Sequence, residues 1–137
     1  MAAAELHVGI DASKLCAPRD GLGSYVRSLL RAFTVLQMRE PPDAPTWTLH
    51  LYGMGAALDA GVVLGALGAA PSSRLRIADA PTPRARHGLD LFHATTLALP
   101  AGWRGPLLVT GYDLTFLSHP ETHTLDNRLH CLTGTLA

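Results

Sequence analysis

Short apolar runs recur along the chain between segments of helical periodicity. The run at 6–10, LHVGI, is apolar at most positions, which is typical of a strand buried on both faces of a parallel sheet. Similar runs at 47–52, 75–77, 89–93 and 107–110 predict four more strands.

After the first run, the apolar positions change to a spacing of three and four residues. This spacing predicts an amphipathic helix over about 22–38. Its apolar face is expected to hold Leu22, Tyr25, Val26, Leu29, Leu30, Phe33 and Leu36. Asp20 or Ser24 is expected to cap its start, and the following prolines stop it. A helix weakened by glycines is predicted over 56–67, and a last helix from near Thr124.

Alternating strands and helices or long crossovers predict an α/β fold. We expect one Rossmann-like domain over 1–137, with a parallel sheet and helices on both faces. Ligands in such folds collect at the carboxyl ends of the strands. The strand at 107–110 is predicted to be buried and central, so Tyr112 and Asp113 should lie at that edge. Asp11, His93 and the Gly21–Gly23 segment should reach the same edge from other strands.

Composition narrows the function classes. The 137 residues contain 11 Lys and Arg against 11 Asp and Glu, so bulk charge does not favour a nucleic acid or a membrane surface. A local site for a small anion remains open. Two cysteines far apart in sequence favour a reducing, cytoplasmic setting, and no signal peptide or membrane-spanning run is expected.

Several segments in order resemble one family. They are HVGIDASKL, GLGSYVRSLLRAF, LDLFHATTLALP, LLVTGYDLTFLSHPE and HTLDNRLH. Together they are similar to the N-terminal half of GT-B-fold glycosyltransferases of the family-4 type, the group-1 enzymes. The resemblance implies two Rossmann-like domains facing across a cleft, with the acceptor held mostly by the first and a nucleotide-sugar mostly by the second. It implies sugar transfer to a hydroxyl of a sugar or lipid-linked acceptor, with retention and without a metal or cofactor.

The resemblance also implies that the domain is truncated. The donor-binding half would follow Ala137, so the chain alone is expected to be inactive. Sheet and helix faces that this missing half would cover should then be exposed and favour self-association. Peripheral membrane association is left open by a small basic patch at Arg84, Arg86 and His87, which could attract lipid headgroups or a phosphorylated acceptor, although a solvated loop is the favoured interpretation.

The same resemblance assigns roles to particular residues. Gly21, Leu22, Gly23 and Ser24 would contact the donor diphosphate or the transferred sugar; alternatively, the glycines only form the turn into the helix. Tyr112 and Asp113 would be catalytic, or they would shape the edge of the cleft. His93, Thr95 and Thr96 would bind the acceptor, or they would complete buried and turn structure. Asp11 is expected to anchor the 11–21 loop.

One departure bears on catalysis. The family usually has His where this chain has Tyr112, and a tyrosine, with a pKa of about 10, is a poor base near neutral pH. A non-catalytic module that binds a sugar or a partner protein is therefore the first rival hypothesis.

Two other site types are disfavoured by sequence. A dinucleotide-binding oxidoreductase would need a third glycine at Val26 and an acid after the second strand. A metal site at His119, Glu121 and His123 is disfavoured because Pro120 interrupts any shared helix face.

Overall fold

The computed structural model describes residues 5–15, 20–41, 43–68, 74–80, 82–84, 87–112 and 114–136. Its strands are β1 (Leu6–Asp11), β2 (Trp47–Tyr52), β3 (Leu75–Ile77), β4 (Leu91–Ala94) and β5 (Leu107–Val109). Its helices are α1 (Gly21–Arg39), α2 (Ala60–Leu67), α3 (Thr115–Ser118) and α4 (Leu125–Leu136), with a 3-10 turn at Pro120–Thr122. The strands form one parallel sheet in the order β3-β2-β1-β4-β5, which confirms the predicted α/β, Rossmann-like fold.

The first face of the sheet carries the main core. Ile10 of β1 and Leu51 of β2 are fully buried there, against Leu30 of α1 and Val63 of α2. Both helices follow from local sequence. The carboxylate of Asp20 caps α1 by accepting the Gly23 N–H, and Asp59 caps α2 by accepting the Val62 N–H.

Helix α1 agrees with its predicted bounds to within a residue, whereas the prediction for α2 was wrong at its start. Residues 56–59 precede α2 as a connection, because the chain turns at Met54 and Gly55, whose φ angles are 50° and 108°. Arg31 then ties α1 to the last turn of α2, donating to the carbonyls of Ala66 at 2.8 Å and Leu67 at 3.0 Å.

The second face of the sheet has a smaller core. Phe92 of β4 and Tyr52 of β2 are buried there, packed by Leu89, Leu99 and Trp103 from the connecting segments. Gly9 lies beneath them in the central strand. A Cβ at position 9 would lie 2.6 Å from Leu89 Cδ1 and 2.7 Å from a Phe92 ring carbon, so close packing requires glycine there.

The prediction of a buried central strand at 107–110 was wrong. β5 is at the edge of the sheet and pairs with β4 among the described strands. Leu107, Leu108 and Val109 are 40%, 49% and 40% exposed. An apolar run indicates that both faces of a strand can be covered, but the position of that strand in the sheet depends on long-range pairing. Helix α3, a single turn, was not predicted either.

Candidate functional site

From β1 the chain adds β2 and β3 on one side of the sheet and then β4 and β5 on the other, so the topological switch point lies between β1 and β4. In open α/β sheets the ligand crevice lies at such a switch point, outside the carboxyl ends of the strands. A cleft of about 600 Å³ opens at this position, and we call it the switch-point cleft. Its lining comes from five regions: Ser13 and Lys14 after β1, Leu22 of α1, Met54 after β2, Thr96, Leu97 and Ala98 after β4, and Tyr112, Phe116, His123, Asn127, His130 and Cys131 from the C-terminal segment.

Asp11 holds two of these loops together. The side chain is fully buried at the end of β1. One carboxylate oxygen accepts from the Ser13 N–H at 2.9 Å and the other from the Thr96 hydroxyl at 2.8 Å. The expected anchoring role of Asp11 therefore has a direct geometric basis, since both carboxylate oxygens bond within the protein.

The two threonines after β4 differ in position. Thr95 is fully buried, and its hydroxyl donates to the carbonyl of Asp11 at 2.7 Å. Thr96 lines the switch-point cleft, where its hydroxyl donates to Asp11 and accepts from the Ala98 N–H at 3.1 Å. Of the pair, Thr96 is the one that a bound molecule would meet.

The side chain of Tyr112 lies at the edge of the cleft, between the loop after β4 and helix α1. The hydroxyl donates to the Thr95 carbonyl at 2.8 Å, and the ring meets Tyr25 of α1 edge-on at 5.4 Å between centroids. Burial, with smaller contributions from the nearby Tyr25, Asp11 and Asp20, raises the pKa of Tyr112 to about 12. The phenol is thus a neutral hydrogen-bond donor throughout the physiological range and does not act as a base.

His93 lies behind the cleft rather than in its lining. Its Nε2 is 2.7 Å from the Thr110 hydroxyl, which is itself 3.3 Å from the Tyr25 hydroxyl. The ring is 6% exposed, and burial lowers the pKa of His93 although Asp11 opposes the shift. This chain of contacts brings His93, the first turns of α1 and Tyr112 into one neighbourhood, as the shared-edge prediction required.

The predicted donor loop forms the first turn of α1. A Cβ at Gly23 would lie 2.8 Å from the Lys14 carbonyl, so this glycine lets the loop after β1 pack on the helix. Gly21 has open space around its Cβ position. Leu22 lines the cleft, while the exposed Ser24 accepts from Arg27 at 3.2 Å. The capping carboxylate of Asp20 already occupies the helix start.

Sequence reasoning missed several lining residues. Lys14 and Met54 follow β1 and β2 directly, so the rule that places ligands at carboxyl strand ends was a usable signal for both. Met54 also has a φ of 50°, an uncommon conformation for a residue with a side chain. His123, just before α4, and His130 of α4 line the cleft together with the loops after β1 and β4, and nothing local in the sequence indicated that.

Some predicted residues lie outside the described part of the chain or away from a site. Asp113 and Arg86 are not among the described residues, and neither is Cys16, one of the two cysteines noted in the sequence. His119 pairs with Glu121 at 3.3 Å, whereas His123 contacts Thr115 at 2.8 Å. Within the described ranges, no group of three or more His, Cys, Asp or Glu side chains is placed to hold a metal ion.

No protein-family model, curated protein or solved structure matches this chain. Among the helices of the described residues, none is long and apolar enough to cross a membrane. The function is accordingly inferred from the fold, the cleft and the segments that line it.

Proposed function

We propose that this chain is the acceptor-side domain of a GT-B-type glycosyltransferase that uses a nucleotide-sugar. The observation that carries the proposal is the switch-point cleft itself. The segments that resemble the family, at the starts of α1 and of the connections after β1, β4 and β5, all contribute to that one cleft. Such convergence is what a crevice for a substrate requires in this fold class.

The charge of the cleft supports an anionic or hydroxyl-rich ligand. Lys14 lines it together with His123 and His130, and no carboxylate of the described residues is in the lining. Thr96, Asn127 and Tyr112 add hydroxyl and amide groups, which suit sugar hydroxyls. The lysine would meet a diphosphate, and the polar groups would orient the acceptor.

The geometry disfavours a dinucleotide-binding rival. Val26, at the position of the third glycine of the dinucleotide fingerprint, is fully buried in the main core. The segment after β2 begins Gly53-Met54 and supplies no acid for a ribose.

In the proposed reaction the transition state carries positive charge on the sugar and negative charge on the departing diphosphate. This domain would stabilise that separation with fixed dipoles, and the Tyr112 phenol would contribute by turning its one O–H from the Thr95 carbonyl to the substrate. Asp113 is proposed from sequence as its neighbour in catalysis. The proposed second domain would supply most of the diphosphate contacts, so the chain alone should bind ligands weakly and transfer no sugar.

Titration of the chain with nucleotide-sugars, followed by NMR, tests this proposal. We expect uridine or guanosine diphosphate sugars to shift the signals of Lys14, Thr96 and Tyr112, while NAD leaves them unchanged. Lys14→Gln should weaken the response roughly tenfold because one charge-assisted contact is lost. The matched control, Arg39→Gln, removes the same charge from the exposed end of α1 and should bind like wild type. Shifts with NAD alone, or none with any nucleotide-sugar, would contradict the proposal.

One observation favours the alternative of a non-catalytic sugar- or partner-binding module. The Tyr112 phenol is hydrogen-bonded to the Thr95 carbonyl and has a pKa of about 12, so it provides no base where the family usually has His. The test is sugar transfer by a protein that carries the proposed second domain, with Tyr112 and with Tyr112→His. Activity only in the Tyr112→His variant would favour the module for the natural sequence; activity in both would favour the enzyme.

A further inference from the structure

A second cleft, of about 470 Å³, opens at the carboxyl ends of β2 and β3, on the second face of the sheet, where Tyr52 lies. We call it the basic cleft. Its lining is His50, Tyr52, Arg76, Ile77, Ala78, Asp79, Ala80 and His87, and it shares no lining residue with the switch-point cleft. Nothing in the proposed sugar transfer uses it.

Cationic groups converge on the basic cleft. His50, His87 and Arg76 all line the cleft, and an arginine guanidinium is a planar fork of N–H donors suited to oxyanions. His7 lies behind His50, with 3.1 Å between His7 Nδ1 and His50 Nε2. The nearby acids among the described residues include Asp79 in the lining, Glu5, whose carboxylate accepts from the Thr48 hydroxyl, and Asp90, whose carboxylate accepts the His7 N–H at 2.8 Å. In the lining itself, one arginine and two imidazoles stand against one carboxylate.

The orientation of His87 is set by its neighbours. Its ring stacks on Tyr52 with an interplanar angle of 8° and a centroid distance of 6.0 Å. The Arg84 N–H donates to His87 Nδ1 at 3.1 Å, and the Tyr52 hydroxyl is 3.2 Å from the same atom. Since Nδ1 accepts, the proton of the neutral ring is on Nε2. His87 thus keeps an N–H donor for a ligand even when it is uncharged.

His50 makes this cleft sensitive to protons. Burial lowers the pKa of His50, and the positive groups His7, Arg76 and His87 lower it further, against a smaller opposing effect of Glu5. An anion bound among these groups would offset the repulsion between them and raise the pKa of His50, which favours its charged form. Anion binding and proton uptake are then linked, so affinity rises as the pH falls.

We propose that the basic cleft is a binding site for a soluble phosphate group, either free phosphate or a phosphate monoester, held by Arg76, His50 and His87. A soluble ligand is favoured over a lipid headgroup because none of the exposed large apolar side chains among the described residues lines this cleft. The proposal does not depend on the glycosyltransferase proposal, since the two clefts are separate.

Sulfate and inorganic phosphate are suitable probes, and sulfate keeps its charge between pH 6 and pH 8. Calorimetric titration of the wild-type chain should show binding that is about threefold or more tighter at pH 6 than at pH 8. Arg76→Gln should weaken it roughly tenfold through loss of a charge-assisted contact. Arg39→Gln, at the far end of α1, removes the same charge and should leave affinity within about twofold of wild type.

A spectroscopic readout guards against a folding artefact in the variants. In the wild-type chain, sulfate should move the imidazole signals of His50 and His87 and leave that of the exposed His119 in place. Equal binding by Arg76→Gln and Arg39→Gln, tighter binding at pH 8, or unmoved His50 and His87 signals would overturn the proposal. Binding to vesicles of phosphatidic acid without binding of soluble phosphate would overturn it as well.

Discussion

The part of the sheet that carries α1 and α2 differs from the segment that runs from β5 to α4. The first packs strands and helices around one core, with Ile10, Val26, Leu30 and Leu51 fully buried. The second presents apolar side chains to solvent, and the exposed ones are Leu107, Leu108, Val109, Tyr112, Leu114, Leu117, Leu125 and Leu129. Both regions have apolar sequences, so hydrophobicity by itself does not decide burial.

This contrast separates two functions of apolar residues. In the first region they provide the free energy of folding, because area removed from water stabilises the fold. In the second they remain exposed to solvent, and large contiguous apolar patches on a protein surface usually mark interaction sites. The switch-point cleft lies between the two regions, with Lys14 and Thr96 on one side and Phe116 and His130 on the other.

The largest expected effect distinguishes the two regions by stability. Leu30→Ala should lower the free energy of unfolding by about 2–5 kcal/mol, since it leaves a cavity in the main core. Leu125→Ala, at a side chain that is 67% exposed, should change it by no more than about 0.5 kcal/mol. Urea denaturation measures both. Equal losses would show that the C-terminal segment contributes to the same core.

A smaller effect concerns association. If the apolar surface from β5 to α4 mediates self-association, Leu117→Gln combined with Leu125→Gln should weaken it roughly tenfold, as judged by light scattering against concentration. Leu36→Gln combined with Met38→Gln changes two exposed residues of α1 and serves as the matched control. A wild-type chain that stays monomeric at high concentration would contradict the predicted self-association.

The smallest expected effect concerns the hydrogen bond by which Tyr112, after β5, is joined to Thr95, after β4. Tyr112→Phe removes the hydrogen bond to the Thr95 carbonyl and should cost about 0.5–1.5 kcal/mol near pH 8. The pKa of Tyr112 is raised to about 12, so its stabilising contribution is complete below pH 10 and is lost as the pH rises from 10 toward 12. The difference in stability between wild type and variant should therefore narrow between pH 8 and pH 11. A difference in stability that stays the same from pH 8 to pH 11 would mean that the pKa of Tyr112 does not change on folding.

Local patterns predicted the regular elements well. The period of three and four residues located α1 because one face of that helix packs on the core, and the Asp20 cap follows from the free N–H groups of its first turn. β2 and β3 agree with their predicted bounds because short apolar runs need only local pleating and burial. The start of α2 was misplaced, since glycine-rich sequence near Met54 allows both turn and helix.

The candidate site was only partly accessible to the same reasoning. Residues at or just after the end of a strand, such as Asp11, Thr96 and Tyr112, could be placed at the carboxyl edge because parallel strands share that edge. Whether each side chain faces the cleft or the interior depended on packing: Thr96 lines the cleft, whereas Thr95 and His93 are buried.

The sequence by itself determined the α/β class, the main strands and helices, and the edge at which chemistry should collect. These properties depend on periodicity and on the fixed geometry of parallel strands. Only the tertiary structure decided that β5 is an edge strand, that α4 lines the switch-point cleft, and that His50, Arg76 and His87 line a second cleft. Each of these depends on contacts between residues distant in the chain, and such pairings are set by the balance of burial over the whole molecule rather than by any local pattern.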